Sequence, residues 1–222
     1  MKREFLTTGD GSLTIHIPEW NEQYHSKHGA IAEAVHVFIE TGLAHWISEN
    51  DSSEVSVLEI GFGTGLNAFL TSLEAAKNGL QIIYSGIEAF PVSDEEIAQL
   101  NYASLLNESK EDFLKLHKSQ WGKPSEISEN FTLTKHEQYF LDIKFFELYN
   151  LIYFDAFGAR VQPELWTETV FKLMFDALRP NGVLVTYSAK GSVRRAMQAV
   201  GFVVERLPGP PGKREMLRAT KV

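Results

Sequence analysis

The 222 residues contain no cysteine. Disulfides, thiolate metal sites and cysteine nucleophiles are therefore excluded. None of the seven histidines falls in a His-x-x-x-His or His-Glu-x-x-His spacing, so no metal site is expected. No apolar run approaches the roughly 18 to 20 residues of a membrane helix. The start, Met1-Lys2-Arg3-Glu4-Phe5, passes into a polar turn rather than an apolar signal segment. A soluble, cytoplasmic protein is expected. Internal repeats and low-complexity segments are also missing. Positive charge is scarce in most of the chain, whose formal net charge is −8. Residues 188–222 are the exception, with eight Lys/Arg against two acids, or +6; the first 187 residues carry −14. An acidic protein binds nucleic acid poorly in general, but a basic C-terminal face can meet it locally.

What is present is an alternation of strand and helix patterns. Residues 3–17 read as a hairpin around Gly9-Asp10-Gly11-Ser12. Ile31, Val35, Phe38, Ile39, Leu43, Trp46 and Ile47 form one helical stripe between Gly29 and Ser48. Buried strands are expected at 55–60, 82–87, 131–134, 151–154 and 183–187. Helices are expected at 66–77, from Ser93 to about Lys118, from Pro163 to about Leu178, and at 192–199. Strands 202–207 and 215–220, with no helix between them, should pair antiparallel at a sheet edge. The expected fold is α/β: a doubly wound, Rossmann-like, seven-stranded sheet with a C-terminal antiparallel hairpin and a small N-terminal hairpin extension. We expect a division into residues 1–50, the hairpin and helix extension, and 51–222, the main domain, in one compact unit.

The strongest chemical signal is Glu59-Ile60-Gly61-Phe62-Gly63-Thr64-Gly65-Leu66-Asn67 at the first core strand's end, opening a helix. Ligands bind there in open α/β sheets, and three glycines let the backbone turn and approach one. The spacing Gly-x-Gly-x-Gly, with an acid two residues ahead, is that of S-adenosyl-L-methionine (SAM) sites and not of nicotinamide folds. Glu88, at the tip of the second strand, can accept both hydroxyls of an adenosine ribose. Asp155, after the fourth strand, suits an amine acceptor: it can take the amine's proton and stabilise positive charge on nitrogen. Phe157, Trp166 and Tyr187 could stack on a flipped-out base, although aromatics here also suit a core. Lys190, Arg194 and Arg195 at one turn, and Lys213 and Arg214 at another, could meet phosphates.

These motifs stand in order with Tyr24-His25-Ser26, Gly29 to Glu33, Asp155-Ala156-Phe157, Pro163-Glu164-Leu165-Trp166 and Gly212-Lys213-Arg214-Glu215-Met216. Over roughly residues 4–220 the chain resembles the MnmC methyltransferase-domain family of bacterial tRNA wobble-uridine modification. The resemblance implies a class I fold and transfer of a methyl group from SAM to the aminomethyl nitrogen on C5 of the wobble uridine, often a 2-thiouridine. It places the catalytic acid at Asp155, the cofactor loop at Gly61 to Gly65, with Glu59 and Asn67 flanking it, and the ribose acid at Glu88. It further implies that the Tyr24 and Glu33 segment helps to close the cofactor site and that the partner is the anticodon region of tRNA. Lys135-His136 replaces the family's Gly-Asp after the third strand. Nothing in the chain reads as the family's FAD-dependent oxidase, so the stand-alone form, often called MnmD, is expected. The rivals are a SAM-dependent methyltransferase of a small amine and a non-catalytic RNA-binding relative.

Overall fold

A computed structural model describes residues 2–222 of the protein. Strands β1 (Glu4–Thr7) and β2 (Leu13–Ile17) form the expected hairpin, and a short β3 (Glu22–Gln23) completes a three-stranded sheet. A continuous helical rod follows: α1 (Ala30–Ala34), a π-helical stretch Val35–Ala44, and α2 (His45–Glu49). Its apolar stripe lies on the main sheet, with the Phe38 and Tyr153 rings 5.1 Å apart. Gly42 permits this approach; a Cβ there would stand 3.0 Å from Val185 Cγ2.

The core then alternates: β4 (Glu54–Ile60), α3 (Leu66–Asn78), β5 (Gln81–Glu88), α4 (Asp94–Ile97), α5 (Tyr102–Leu105) and α6 (Lys110–Lys118). After these come β6 (Ser125–Ser128), β7 (Phe131–Glu137), β8 (Tyr149–Phe154), α7 (Glu168–Ala177), β9 (Leu178–Thr186), α8 (Gly191–Ala199), β10 (Phe202–Pro208) and β11 (Glu215–Lys221). The strand order is β10-β11-β9-β8-β4-β5-β7-β6. β9, β8, β4, β5 and β7 run parallel. β11 is antiparallel to both β9 and β10, as the absence of a helix between the last two strands requires. Apolar clusters cover both faces, one around Phe38, Phe69, Tyr84 and Phe113, the other around Phe154, Phe171, Met174 and Met197. The doubly wound α/β fold expected from the alternation is thus observed.

Three details differ from expectation. The sheet has eight strands rather than seven, because β6 adds an antiparallel edge to β7. With only Ile127 buried among its four residues, β6 has no period to read. The helix expected from Ser93 to Lys118 is broken into α4, α5 and α6. Asn101 sits at the first break because its side chain serves the hairpin, accepting from Leu13 N–H (2.8 Å) and donating to the Gly11 carbonyl (3.0 Å). At the second break Asn107 is left-handed, and Ser109 caps α6. The helix expected at Pro163 is a 3₁₀ turn, Pro163–Trp166, and α7 starts afresh after Thr167, whose hydroxyl accepts from Val170 N–H.

The strand order reverses between β4 and β8, the crevice where an open sheet binds ligands. Among the described residues no helix is long and apolar enough to cross a membrane.

Candidate active site

The crevice opens into a cleft of about 1110 Å³. Gly61, Gly63, Glu88 and Asp155 form its floor, and Tyr24, Glu33, Phe157, Tyr187 and Lys213 stand around it. The glycine loop is held from below: Gly61 N–H and Phe62 N–H both donate to the Ile87 carbonyl at 3.0 Å. Gly61 has φ +90°, and a Cβ there would stand 2.6 Å from the Asp155 carbonyl oxygen. Only glycine brings these two strand ends so close. Gly63 N–H donates to Glu88 Oε2 (2.9 Å), and Phe90 N–H donates to Glu88 Oε1 (2.9 Å). Tyr24 lies over Gly63 and meets the Phe157 ring edge-on at 4.9 Å.

Asp155 follows β8 and is half-buried, its N–H donating to the Ile60 carbonyl (2.9 Å). Burial, reinforced by the nearby Glu33 carboxylate, pushes its acid up to about 7; hydrogen bonding from Asn67 and the Lys213 charge oppose the rise. Lys213 Nζ donates to Glu33 Oε1 (2.6 Å) and stands 3.8 Å from the Tyr187 ring centroid. Tyr187 Oη in turn donates to the Ala156 carbonyl (2.7 Å). Glu33 Oε2 accepts from Ser26 N–H (2.7 Å). The cleft therefore carries an acid–lysine–tyrosine cluster drawn from the N-terminal rod, the β10–β11 loop and the end of β9.

Several residues expected to touch a cofactor lie beneath the loop instead. Glu59 is 1% exposed and is bonded to Asn67 and Tyr84. The strand pleat turns it into the layer below the cleft. Phe62 packs against Gly86, where a Cβ would stand 2.4 Å from its ring. Thr64 is buried between His25 Nε2 (3.4 Å) and Tyr102 Oη (3.3 Å). Gly65 starts α3 against His117, and Asn67 in the first turn points to Glu59 and Asp155. Trp166 is also placed in the core, where its Nε1–H donates to the Phe157 carbonyl (2.8 Å); it does not line the cleft. Lys190, Arg194, Arg195 and Arg214 lie outside the cleft. Lys190 and Arg214 flank it in sequence, and none of the four has an acidic partner within ion-pair distance among the described residues.

Sequence reasoning missed two parts. Trp20 and Glu22 join the cleft wall because Arg160 binds the Trp20 and Asn21 carbonyls and Glu22 Oε2 (3.0, 2.8 and 3.0 Å), a link across 138 or more residues. His25 ties the hairpin to the glycine loop, hydrogen-bonding Thr14 (3.1 Å) and Thr64. Among the described residues no group of three His, Asp or Glu could hold a metal ion.

Residues 110–222, half of the chain, match a family described as S-adenosyl-L-methionine-dependent methyltransferase. The chain belongs to that family. The methyltransferase is 30% identical to the tRNA 5-methylaminomethyl-2-thiouridine biosynthesis bifunctional protein MnmC of Cupriavidus metallidurans, over 96% of this chain and 33% of that protein. It is also 30% identical to the protein of the same name from Leptospira interrogans, over 96% of this chain and 34% of the relative. The chain thus spans about a third of the length of these curated relatives. In fold it is similar to MnmC2 from Aquifex aeolicus (TM-score 0.78, 24% identity, all of this chain and 70% of the other). Spermidine synthase from Thermotoga maritima is more distant (TM-score 0.60, 13% identity, 99% and 68% covered). The cofactor of this family is SAM, and the cleft suits it. Gly61 and Gly63 line it without side chains, and a carboxylate stands at the end of β5 as an acceptor for hydroxyls.

Proposed function

We propose that this methyltransferase acts on tRNA. It would methylate the aminomethyl nitrogen on C5 of the wobble uridine, in its 2-thio or 2-oxo form, giving 5-methylaminomethyl(-2-thio)uridine. Such a substrate puts the enzyme in the cytoplasm. The observation that carries the reading is Asp155: a carboxylate raised to about 7 on the floor of the cleft, between the glycine loop and the Lys213–Glu33–Tyr187 cluster. Alignment along 96% of the chain to proteins named for 5-methylaminomethyl-2-thiouridine biosynthesis supports the substrate.

In this reading Gly61 and Gly63 face the amino-acid part of SAM, Glu88 accepts from its ribose, and Tyr24 and Glu33 close the site. The bound cofactor supplies an electrophilic methyl group. Asp155 accepts a proton from the substrate nitrogen, which leaves a lone pair to form the N–C bond as the C–S electrons pass to sulfur. A carboxylate titrating near neutrality is well matched to that proton transfer. It is a stronger base than an ordinary carboxylate, yet still largely ionised above pH 7. Phe157, with Trp20 and Tyr24 packed around it (5.5 and 4.9 Å), offers an aromatic surface for the splayed base. Lys190, Arg194, Arg195 and Arg214 meet the anticodon-arm phosphates.

The test is methyl transfer from labelled SAM to tRNA carrying 5-aminomethyl-2-thiouridine, with mass analysis of the nucleosides. One added methyl on that nucleoside is the expected result. SAM binding without transfer to tRNA, but with transfer to a small alkylamine, would replace this reading with the small-amine one.

A further inference from the structure

Four side chains form a hydrogen-bonded line from the core to the cleft. The Tyr84 hydroxyl on β5 meets Glu59 Oε2 at 2.8 Å. Asn67 Nδ2 donates to Glu59 Oε1 at 2.8 Å and to Asp155 Oδ2 at 2.9 Å. Tyr84, Glu59 and Asn67 are at most 3% exposed and do not line the cleft. Asn67 Oδ1 is buried without a hydrogen-bond partner. The amide thus leaves its acceptor unused in order to aim one nitrogen at two carboxyl groups. Turning it over would set a carbonyl oxygen against both acids, which is tolerable only if both are protonated.

We propose that Asn67 and Glu59 are positioning residues for Asp155. Glu59 fixes the Asn67 amide, and Asn67 holds the Asp155 carboxylate toward the acceptor nitrogen and favours its ionised form. The proposal rests on Asp155 being the proton acceptor. It also explains why the loop begins with an acid and is followed by an asparagine, although neither residue reaches the cleft. Burial pushes Glu59 well above the usual carboxylate range, so it anchors Asn67 with little added repulsion toward Asp155. Asp155 is also faced by Glu33 from α1, Lys213 from the β10–β11 loop and Tyr187 at the end of β9. Glu33 makes protonation easier and Lys213 makes it harder. Asn67 acts with Lys213, since a donor to the carboxylate favours its charge.

The experiment titrates the Asp155 side chain directly, by ¹³C NMR of protein labelled at aspartate carboxyls and assigned with Asp155→Asn. It is run alongside kcat against pH and SAM affinity by calorimetry. In Asn67→Ala the Asp155 resonance should titrate at higher pH, and the acid limb of kcat should move the same way. Turnover should fall on the order of 10- to 100-fold, with SAM affinity within about threefold of wild type. Glu59→Gln keeps an acceptor for Asn67 and a partner for Tyr84, so it should stay close to wild type. Glu59→Leu frees the Asn67 amide and should resemble Asn67→Ala. Should Asn67→Ala not fold, Asn67→Ser, a smaller donor in the same helical turn, should show a smaller shift in the same direction. An unshifted Asp155 titration in these Asn67 variants, or a loss of SAM affinity with the acid limb unmoved, overturns the proposal. Wild-type turnover in Asp155→Asn would instead sink the reading of Asp155 itself, whatever the titration shows.

Discussion

Asp155 sits under opposed influences, and its surroundings can be changed one at a time. Lys213 is the positive one, and it also neutralises Glu33. Lys213→Met removes that charge and leaves Glu33 unpaired, so both effects make Asp155 harder to ionise. The acid limb of the pH–rate profile should move to higher pH; a limb that stays or falls would show that Lys213 does not act on Asp155. His25 carries a prediction about stability. Burial lowers it to about 4, so it is neutral in the folded protein at pH 7. Its folded value lies below its unfolded value of about 6.5. The unfolded state therefore binds the extra proton first, and stability falls as pH drops from about 6.5 to about 4. Asp155, with a folded value above its unfolded one, works in the opposite sense: it adds stability at low pH that is lost as pH rises toward 7. Comparing wild type with His25→Gln by calorimetry across this range separates the two. The variant should lose less stability on acidification, and identical slopes would rule out His25 as the source.

Between elements, the closest fit is where the loop after β4 meets the end of β8. Gly61→Ala would force a left-handed φ on a residue with a Cβ and press that carbon onto the Asp155 carbonyl. The strain is on the order of 1–3 kcal/mol, and relief requires the β8 end to shift. Both a lower melting temperature and weaker SAM binding are expected, read by thermal scans with and without the cofactor; an unchanged cofactor-induced shift would count against the loop as its cradle. At this scale much was legible beforehand. The glycine loop, Glu88 and Asp155 are strand-end features, and a strand end is marked by local pattern. Whether Glu59, Phe62, Thr64 and Asn67 face the cleft depends on the pleat of β4 and the phase of α3, which the spacing of the glycines does not set. The breaks at Asn101 and Asn107 escaped notice for a related reason: Asn101 leaves the helix to bond a hairpin 88 and 90 residues away.

At the scale of the whole molecule, charge is divided: −14 up to residue 187 and +6 beyond it. Of the cations of the basic part that lack acidic partners among the described residues, Lys190 and Arg214 flank the cleft in the chain, and Arg194 and Arg195 follow Lys190 on α8. Replacing all four with alanine should weaken tRNA binding and flatten its dependence on salt, because fewer counterions are released. The folded state and SAM affinity should be unaffected. If filter binding at several salt concentrations gives the wild-type slope, this face is not where tRNA docks. The sequence by itself determined the alternation of the core strands and helices, the antiparallel ending, the glycine loop and the acids at the ends of β5 and β8. Each depends on hydrophobic period, turn residues and neighbours within a few positions. Only the tertiary structure decided that Lys213 pairs with Glu33 across 180 residues, that Arg160 draws the β2–β3 turn to the cleft, and that Asn67 bridges Glu59 to Asp155. Those contacts depend on how layers stack and which way side chains turn between them. A short-range pattern carries no record of that, because distant segments meet only once the whole core is buried.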